Sequence, residues 1–425
     1  MKAMGSLLSY EDAIRILCDS ARACPASVEE IPLTESAHRV IAKEVRAGFD
    51  VPSLDNSAMD GFAVRSCDLQ SGWNEFPVSS LKIAGDLPDT QVREKTAVQI
   101  MTGAPLPQGG FDLIVKVEDV GILKDSTGGT LIRFESISAS AAHVRRRGSD
   151  FEKGDLLVRP GSRIDAKAIL GLAALGCARV VVHRKPRVAL ISTGNELVPH
   201  DQTEVTEGAI RNSTAPYLMQ ALRELGCEVR NFGVVRDEAS EKPEEFERAL
   251  KAALSEGFDL ILTTGAVSMG IHDFIRPSVE RNGGRVLFHK VAIRPGKPVL
   301  FSEFPGFPET RLIGLPGNPV STVVGVDFFV APFLRERFGI PEPRPLLGRI
   351  SGTCPSAPPG FKTFFRAKAE SRADGVLQIE IPKGQASFMV HSFSGANGWA
   401  VIPASGVPGE AGGIEFFPFA ERMDA

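Results

Sequence analysis

RVALISTGNE, residues 187–196, is a run of mainly apolar residues that ends in a polar turn containing a glycine. The strand and helix patterns that follow it alternate, over residues 212–225, 227–235, 243–257 and 259–265. Further strands are predicted at RVLFHKVAI, KPVLF and RLIGL, and a buried helix is predicted to begin at Asn318 and Pro319. This alternation predicts an α/β domain over residues 181–335, built on a parallel, doubly wound sheet.

The segments on either side of the α/β domain have a different texture. Between residues 48 and 142, short β-rich runs separated by Gly, Pro and Asp predict a small inserted β domain. Residues 336–425 alternate polar and apolar positions with many Gly and Pro breaks, which predicts a C-terminal β-barrel or sandwich. Residues 1–47 and 143–180 have mixed character, and we expect them to form one discontinuous linker domain. The predicted fold class is therefore multidomain α/β plus β.

Composition sets limits on the function. With 425 residues, 43% of them hydrophobic, the chain is large enough for several cores. A net charge of −4 gives no global attraction for nucleic acid or a membrane surface, so an anionic substrate needs a local basic site. The six cysteines follow no metal or disulfide pattern, and we find no secretory leader or membrane span in the sequence; we expect a cytoplasmic protein. Neither a P-loop, a dinucleotide-binding G-x-G-x-x-G nor an H-E-x-x-H motif is present.

Three loops of the α/β domain are candidates for anion binding. STGNE, TTGAVSMGIHD and LPGNPVST each follow an apolar strand, and the carboxyl ends of such strands line one crevice. Glycines let backbone N–H groups approach an anion, and a helix that begins at Pro319 directs its N–H groups the same way. A single loop of this kind is also explained as an ordinary turn. The candidate residues are Gly194, Gly265, Ser268, Pro316, Gly317, Asn318 and Pro319.

Charged residues accompany these loops. Glu196, Asp237 and Asp273 are candidate ligands for Mg²⁺, although each alone is also explained as a helix cap or a solvated turn. In FHKVAIRPGKP, the cations Lys290, Arg294 and Lys297 stand on or beside a stiff Arg-Pro-Gly-Lys turn. They could belong to a solvated strand end, but cations held on a stiff turn favour binding of a polyanion.

Outside the α/β domain, DNSAMDGFAV (55–64) is either an ordinary turn or an acidic functional loop. Thr102 in MTGAPLP offers a hydroxyl and an N–H to an oxyanion, or belongs to a β-turn locked by Pro105. HVRRRGSD adds three arginines and Asp150, and such a charge run is usually a solvated face.

Seven of these stretches occur in the order DNSAMDGFAV, MTGAPLP, RRRGSD, STGNEL, GAVSMGIHDF, AIRPGKP and GLPGNPVS. The set resembles the molybdopterin molybdenumtransferase family, which includes MoeA and the E domain of gephyrin. DNSAMDG and LPGNPVS are the most specific motifs, and the resemblance covers at least residues 9–335.

The resemblance implies an elongated homodimer of four-domain chains, with an elongated linker domain and a molybdopterin-binding α/β domain. The implied reaction consumes adenylylated molybdopterin and molybdate, releases AMP and uses Mg²⁺ as cofactor. A molybdopterin adenylyltransferase and acceptor molybdoenzymes are the implied partners, with no nucleic acid and no membrane.

The resemblance also assigns roles to residues. Asp60, Asp150 and Thr102 become the catalytic candidates, with Asp60 organising a cation or the substrate in preference to activating water. The loop residues and the three cations Lys290, Arg294 and Lys297 bind substrate, and Glu196, Asp237 and Asp273 orient Mg²⁺ or the hydrogen-bond donors of the pterin.

Some positions depart from the family pattern. Ala266 stands where a second glycine is usual, Ile271 and His272 replace an Asp-Tyr-type pair, and Arg294 stands where Lys is common. These departures leave a tungstate-preferring paralogue open.

A non-catalytic scaffold that binds pterin or oxyanion is a separate alternative, although the presence of Asp60, Asp150, Glu196 and Asp273 favours the enzyme. A free-standing adenylyltransferase is disfavoured, because it needs only the α/β domain.

Overall fold

The computed structural model describes residues 7–134, 143–236, 243–266, 274–353, 355–406 and 413–419. The chain forms two compact units. The large unit comprises Met1–Lys43, Pro160–Ala166 and Arg179–Ala425, and the small unit comprises Glu44–Arg159 and Lys167–Ala178.

The strands of the described residues are β1 (Val28–Pro32), β2 (Val45–Arg46), β3 (Asn56–Ser57), β4 (Gly61–Val64), β5 (Glu75–Lys82), β6 (Ala97–Ile100), β7 (Leu113–Lys116), β8 (Gly121–Lys124), β9 (Thr130–Arg133), β10 (Val144–Arg145), β11 (Leu156–Val158), β12 (Arg179–His183), β13 (Arg187–Thr193), β14 (Leu197–Val198), β15 (Ile210–Arg211), β16 (Glu228–Val235), β17 (Leu260–Thr264), β18 (Arg285–His289), β19 (Ile293–Arg294), β20 (Leu300–Glu303), β21 (Arg311–Leu315), β22 (Leu346–Ser351), β23 (Lys362–Ser371), β24 (Leu377–Glu380), β25 (Gly398–Ile402) and β26 (Ile414–Pro418). The α-helices are α1 (Tyr10–Arg22), α2 (Ser66–Gln70), α3 (Ala166–Ala174), α4 (Thr214–Glu224), α5 (Glu244–Ser255), α6 (Ile275–Arg281), α7 (Pro319–Gly325) and α8 (Ala331–Phe338). A π-helical turn, Val326–Val330, joins α7 to α8.

The centre of the large unit is a six-stranded sheet with the order β16–β13–β17–β21–β20–β18. Its first four strands are parallel, as the alternating sequence pattern predicts. β20 and β18 instead pair antiparallel at one edge. The short loop between β20 and β21 explains this difference, because a parallel connection needs a long crossover.

Helices cover both faces of this sheet. The predicted apolar face of α4 is buried, with Leu218, Leu222 and Leu225 fully shielded from solvent. On the opposite face, α5 buries Phe246 and Leu250 in a second apolar cluster. Each fully buried leucine contributes about 2 kcal/mol of hydrophobic stabilisation, so this periodicity fixes the helices against the sheet.

The C-terminal strands close into a barrel. They follow the order β23–β24–β22–β26–β25, and β25 pairs again with β23 to close the circle, while β19 adds beside β23. The indole N–H of Trp399 in β25 donates to an Asp327 carboxylate oxygen at 2.7 Å, which ties the barrel to the helical segment that starts at Pro319. The barrel predicted from sequence is confirmed.

The small unit contains a six-stranded sheet with the order β7–β4–β6–β5–β9–β8. β4 is fully buried between β6 and β7, and it begins at Gly61. A Cβ at Gly61 would overlap the carbonyl oxygen of Val115 in β7. The close approach of these two strands therefore requires glycine at this position.

Linker elements are present in both units. β1 pairs with β12 in the large unit, and β2 pairs with β11 in the small unit. The boundaries of the four domains stay a prediction from sequence. Over the described ranges, no helix is both long and apolar enough to span a membrane.

Candidate functional site

Three loops meet at the carboxyl ends of β13, β17 and β21. The hydroxyl of Thr193 donates to the carbonyl of Thr264 at 3.1 Å. Gly265 has φ +87°, and a Cβ there would lie 2.5 Å from both the carbonyl and the hydroxyl oxygen of Thr193. A Cβ at Gly317 would lie 3.5 Å from the Cα atom of Gly265. The backbone conformation at position 265 and its contacts with Thr193 both require glycine there. The close approach of the loops joins them into one continuous surface.

The helix that begins at Pro319 starts at this surface. Asn318 is its N-cap residue, but its side chain makes no capping hydrogen bond. The amide of Val320 donates to the carbonyl of Ser387 at 3.1 Å, and Ser387 belongs to a loop of the barrel. One N–H group of the helix start is thus engaged by the protein itself.

A pocket of about 530 Å³ lies over these loops. Its lining combines backbone and polar side chains of the α/β sheet with two apolar residues of the barrel loop. The residues are Thr193, Glu196, Leu197, Ile210, Arg211, Asn212, Ser213, Thr214, Thr264, Gly265, Ala266, Pro298, Pro316, Gly317, Asn318, Pro319, Phe388 and Val390.

Several lining residues were not predicted from the sequence. Arg211 lines the pocket, and its guanidinium group donates to the carbonyls of Gln202 and Thr203. Asn212 accepts from the amide of Ala215 at 3.0 Å and so caps the start of α4. An Asn-Ser-Thr run before a helix was the available signal for these positions. No local pattern indicates that Phe388 enters the pocket.

Glu196 is the acidic residue that the described part of the pocket contains. Its side chain folds back over Gly194, where a Cβ would lie 2.9 Å from each carboxylate oxygen. Gly194 has φ +149°, so glycine supplies both the conformation and the space for the carboxylate. Among the described residues, no group of three or more His, Cys, Asp or Glu forms a metal site. Gly194 itself is buried and does not line the pocket.

The predicted cations lie on a neighbouring segment. Lys290, Arg294 and Lys297 are not among the lining residues that the structure describes, although Pro298 is. A Cβ at Gly296 would lie 3.3 Å from the Ile293 side chain and 3.6 Å from the carbonyl of Ser321 in α7. The Arg-Pro-Gly-Lys turn therefore packs against the helix whose start lines the pocket.

Asp60 and Thr102 form a hydrogen-bonded pair in the small unit. The amide and the hydroxyl of Thr102 both donate to Oδ1 of Asp60, at 2.7 and 2.8 Å. These bonds stabilise the charged carboxylate and lower the pKa of Asp60 below its ordinary value. The sequence predicts that the amide and hydroxyl of Thr102 can bind an oxyanion, but in the structure both donate to Asp60.

The arginine run of the small unit is anchored by aspartates. Arg146 and the amide of Arg147 both donate to Asp55 at 2.7 Å. The side chain of Arg147 also donates to Asp50 at 2.6 Å. Burial acts to raise the pKa of Asp55, but the bonds from the Arg147 amide and the Arg146 side chain together outweigh burial, so the pKa lies below its ordinary value. Asp150 is exposed, and its amide donates to the carbonyl of Val51 at 2.9 Å.

Comparison with known families matches two models. Residues 8–176 match the MoeA N-terminal region (domain I and II), and residues 189–336 match the probable molybdopterin binding domain. A molybdopterin molybdenumtransferase of Synechococcus elongatus is 38% identical over 406 residues, which cover 94% of this chain and 96% of the relative. The chain belongs to the molybdopterin molybdenumtransferase family.

Other members of the family agree with this assignment. A molybdopterin molybdenumtransferase of Haemophilus influenzae is 36% identical over 74% of each chain. A solved structure of a molybdopterin biosynthesis MoeA protein from Pyrococcus horikoshii superposes with a TM-score of 0.78 at 28% identity, over 97% of this chain and 99% of that one. The resemblance inferred from the motifs is confirmed, and so is the enzyme class, a transferase. Its function lies in molybdenum cofactor biosynthesis.

Some family positions lie outside the described residues, namely Asp237, Ser268, Ile271, His272 and Asp273. Ala266, where the resemblance leads us to expect glycine, is described. It adopts φ +48°, a left-handed conformation that favours glycine. Alanine at this position thus keeps the backbone shape that glycine would adopt, at a conformational cost of about 1 kcal/mol.

Proposed function

We propose that this protein inserts molybdenum from molybdate into adenylylated molybdopterin, with cleavage of the pyrophosphate bond and release of AMP. The observation that carries the proposal is the pocket at the carboxyl ends of β13, β17 and β21. Two glycine loops, a helix start, Glu196 and Arg211 line a single space there. Such a space suits a substrate with phosphates and a hydrogen-bonding heterocycle.

Binding of the pyrophosphate rests on backbone groups and Arg211. Gly317 lines the pocket without a Cβ, so its backbone stays accessible. The amide of Gly265 donates to the carbonyl of Leu315 at 3.1 Å, so Gly265 allows close approach but offers no N–H group. Arg211 offers a cation at the same wall, and a guanidinium group pairs well with phosphate oxygens. Ser268 and Asn318 are assigned to the same task by the family resemblance.

The residues of the pocket fit Mg²⁺. This ion is commonly held by one or two carboxylates together with phosphate oxygens and water. Glu196 supplies one carboxylate beside the loops proposed to bind phosphate, and Asp237 and Asp273 are the further ligands that the sequence predicts. When bound, Mg²⁺ neutralises charge on the pyrophosphate group.

We assign Lys290, Arg294 and Lys297 to molybdate and phosphate neutralisation. The packing of the Arg-Pro-Gly-Lys turn against α7 supports this role for Arg294 and Lys297, because it holds the backbone of the turn beside the helix that begins at the pocket. Molybdate is a tetrahedral dianion, so positioned cations and N–H groups are the chemistry that it requires.

Asp60 and Asp150 complete the proposal through dimerisation. The family resemblance implies a homodimer, and we propose that the two carboxylates act on substrate bound by the partner chain. Asp60 is suited to hold a cation or a polar substrate group, because Thr102 keeps it charged and oriented. The adenylyltransferase partner, the acceptor molybdoenzymes and the cytoplasmic location stay predictions from sequence.

One assay tests the function directly. Full-length protein is supplied with adenylylated molybdopterin and Mg²⁺, with molybdate, tungstate or neither, and AMP is quantified. We expect AMP release that depends on molybdate and on Mg²⁺, and a loss of about 100-fold or more in Asp60→Asn. Asp125→Asn is the matched control, because Asp125 is held by Thr127 in an exposed turn of the same unit.

The outcomes separate the alternatives. Stronger release with tungstate would indicate the tungstate-preferring paralogue. Tight nucleotide binding by folded protein without any AMP release would indicate the scaffold and contradict the transferase reaction.

A further inference from the structure

An apolar chamber of about 430 Å³ adjoins the polar pocket in the large unit. The two spaces share Ser213, Thr214, Pro319 and Val390. Beyond this shared wall, the chamber is lined by Tyr217 of α4, Val323 of α7, and the aromatic residues Phe393 and Phe419. The polar pocket, here named the polar lobe, and the chamber therefore lie side by side, with the helix start at Pro319 on their common wall.

The aromatic wall of the chamber is held in place by its packing. The ring of Phe393 lies 5.8 Å from that of Phe419, and each contacts Trp399, at 5.8 and 5.6 Å between ring centres. Trp399 is itself buried and bonded to Asp327. A planar ligand entering the chamber would meet an ordered aromatic surface, which binds heterocycles without much loss of side-chain entropy.

The proposed substrate has a matching layout. Adenylylated molybdopterin carries two heterocycles on either side of a pyrophosphate, so its site needs two ring subsites flanking a phosphate subsite. The pterin edge carries more hydrogen-bond donors and acceptors than the adenine edge does, so burying the pterin in an apolar chamber would leave more of them unpaired. The polar lobe offers Glu196 and backbone groups to that edge.

We infer that the apolar chamber binds the adenine ring of the nucleotide, with Tyr217, Phe393 and Phe419 forming its stacking surface. The inference rests on the proposed function and assigns the leaving group AMP to a defined subsite. Stacking of adenine on these aromatic rings, and not hydrogen bonding to its edge, then provides most of the binding free energy that the base contributes.

Binding of AMP and of ribose 5-phosphate to the full-length protein, measured by calorimetry, tests the inference. Ribose 5-phosphate carries a hydroxyl group at the sugar carbon where AMP carries the base. We expect AMP to bind about tenfold more tightly or better, since stacking of one base on aromatic side chains is commonly worth that much. Tyr217→Leu should reduce this ratio to about twofold or less, whereas Tyr217→Phe, which keeps the ring, should preserve it.

Phe388→Ala is the second control, because Phe388 is an exposed aromatic residue on the rim of the polar lobe. It should leave the ratio unchanged. If Tyr217→Leu fails to fold, Phe419→Leu replaces it, since Phe419 lines the chamber and is not among the described lining residues of the polar lobe. It too should lower the ratio.

Equal affinities of the wild type for AMP and ribose 5-phosphate would overturn the inference. So would loss of the ratio in Phe388→Ala with retention in Tyr217→Leu, because the base would then lie in the polar lobe. Neither result affects molybdate-dependent AMP release, which tests the proposed function separately.

Discussion

At the scale of single residues, Asp60 shows how one neighbour sets the charge of a candidate catalytic group. Both donors of Thr102 converge on one carboxylate oxygen, and they lower the pKa of Asp60 by stabilising its charged form. Asp60 therefore stays ionised at a lower pH than an ordinary aspartate. If its charge is needed for AMP release, the acid limb of the pH profile reports this pKa.

Thr102→Val removes the hydroxyl donor and keeps the amide. We expect the pKa of Asp60 to rise, and the acid limb of AMP release to move to higher pH as a result. The measurement is the rate of AMP release between the acid limit of stability and neutral pH. Thr127→Val is the control, because it removes the same kind of bond from Asp125 at an exposed turn. An unshifted acid limb in Thr102→Val would show that Asp60 does not control it.

Gly61 beside this carboxylate is a second residue whose role the packing explains. Gly61→Ala places a Cβ against the carbonyl of Val115, so β4 and β7 must move apart. We expect a destabilisation of about 3 kcal/mol, seen as a lower melting temperature in thermal unfolding. Gly48→Ala should change stability by less than about 1 kcal/mol, since nothing lies within 4 Å of a Cβ there. Equal effects of the two substitutions would contradict this explanation.

At the scale of elements, the pocket depends on how closely three loops approach one another. Gly265→Ala would force a Cβ to within 2.5 Å of Thr193 and strain a backbone at φ +87°. We expect AMP affinity to fall by about tenfold or more, measured by calorimetry. Gly306→Ala should bind AMP as the wild type does, because Gly306 is not among the described lining residues and nothing lies within 4 Å of a Cβ there. Normal binding by Gly265→Ala would show that this loop does not shape the site.

The helix start is an element whose function the barrel modifies. The sequence predicts that the N–H groups at this helix start bind an anion. In the structure, the amide of Val320 instead donates to the carbonyl of Ser387 at 3.1 Å. The sequence does not predict this contact, because Val320 belongs to the predicted α/β domain and Ser387 to the predicted C-terminal domain. The barrel loop also brings Phe388 and Val390 into the pocket lining.

At the scale of the whole molecule, the proposed sharing of sites between chains makes a complementation test possible. Asp60→Asn removes the carboxylate that is proposed to act on the partner's substrate. Glu196→Gln removes the carboxylate that lines the chain's own pocket. If Asp60 acts on the partner's pocket, each mixed dimer has one site with both parts intact. An equal mixture should then regain about a quarter of wild-type AMP release.

The control is each variant mixed with itself under the same subunit-exchange conditions, which should stay inactive. A mixture as inactive as its parents, with mixed dimers demonstrated by mass spectrometry, would place both residues in a site within one chain.

The sequence alone determined the type of most elements in the large unit. The apolar run 187–193, the buried face of α4 and the helix start at Pro319 follow from local periodicity and from proline and glycine chemistry, which do not depend on distant contacts. The meeting of three loops also followed, because parallel strands place their carboxyl ends at one edge. Tertiary structure decided the remaining features: the antiparallel edge formed by β18 and β20, the Thr102–Asp60 pair, the presence of Arg211 in the pocket, and the apolar chamber. These depend on contacts between residues far apart in the chain, and packing of whole elements selects such contacts without leaving a local pattern.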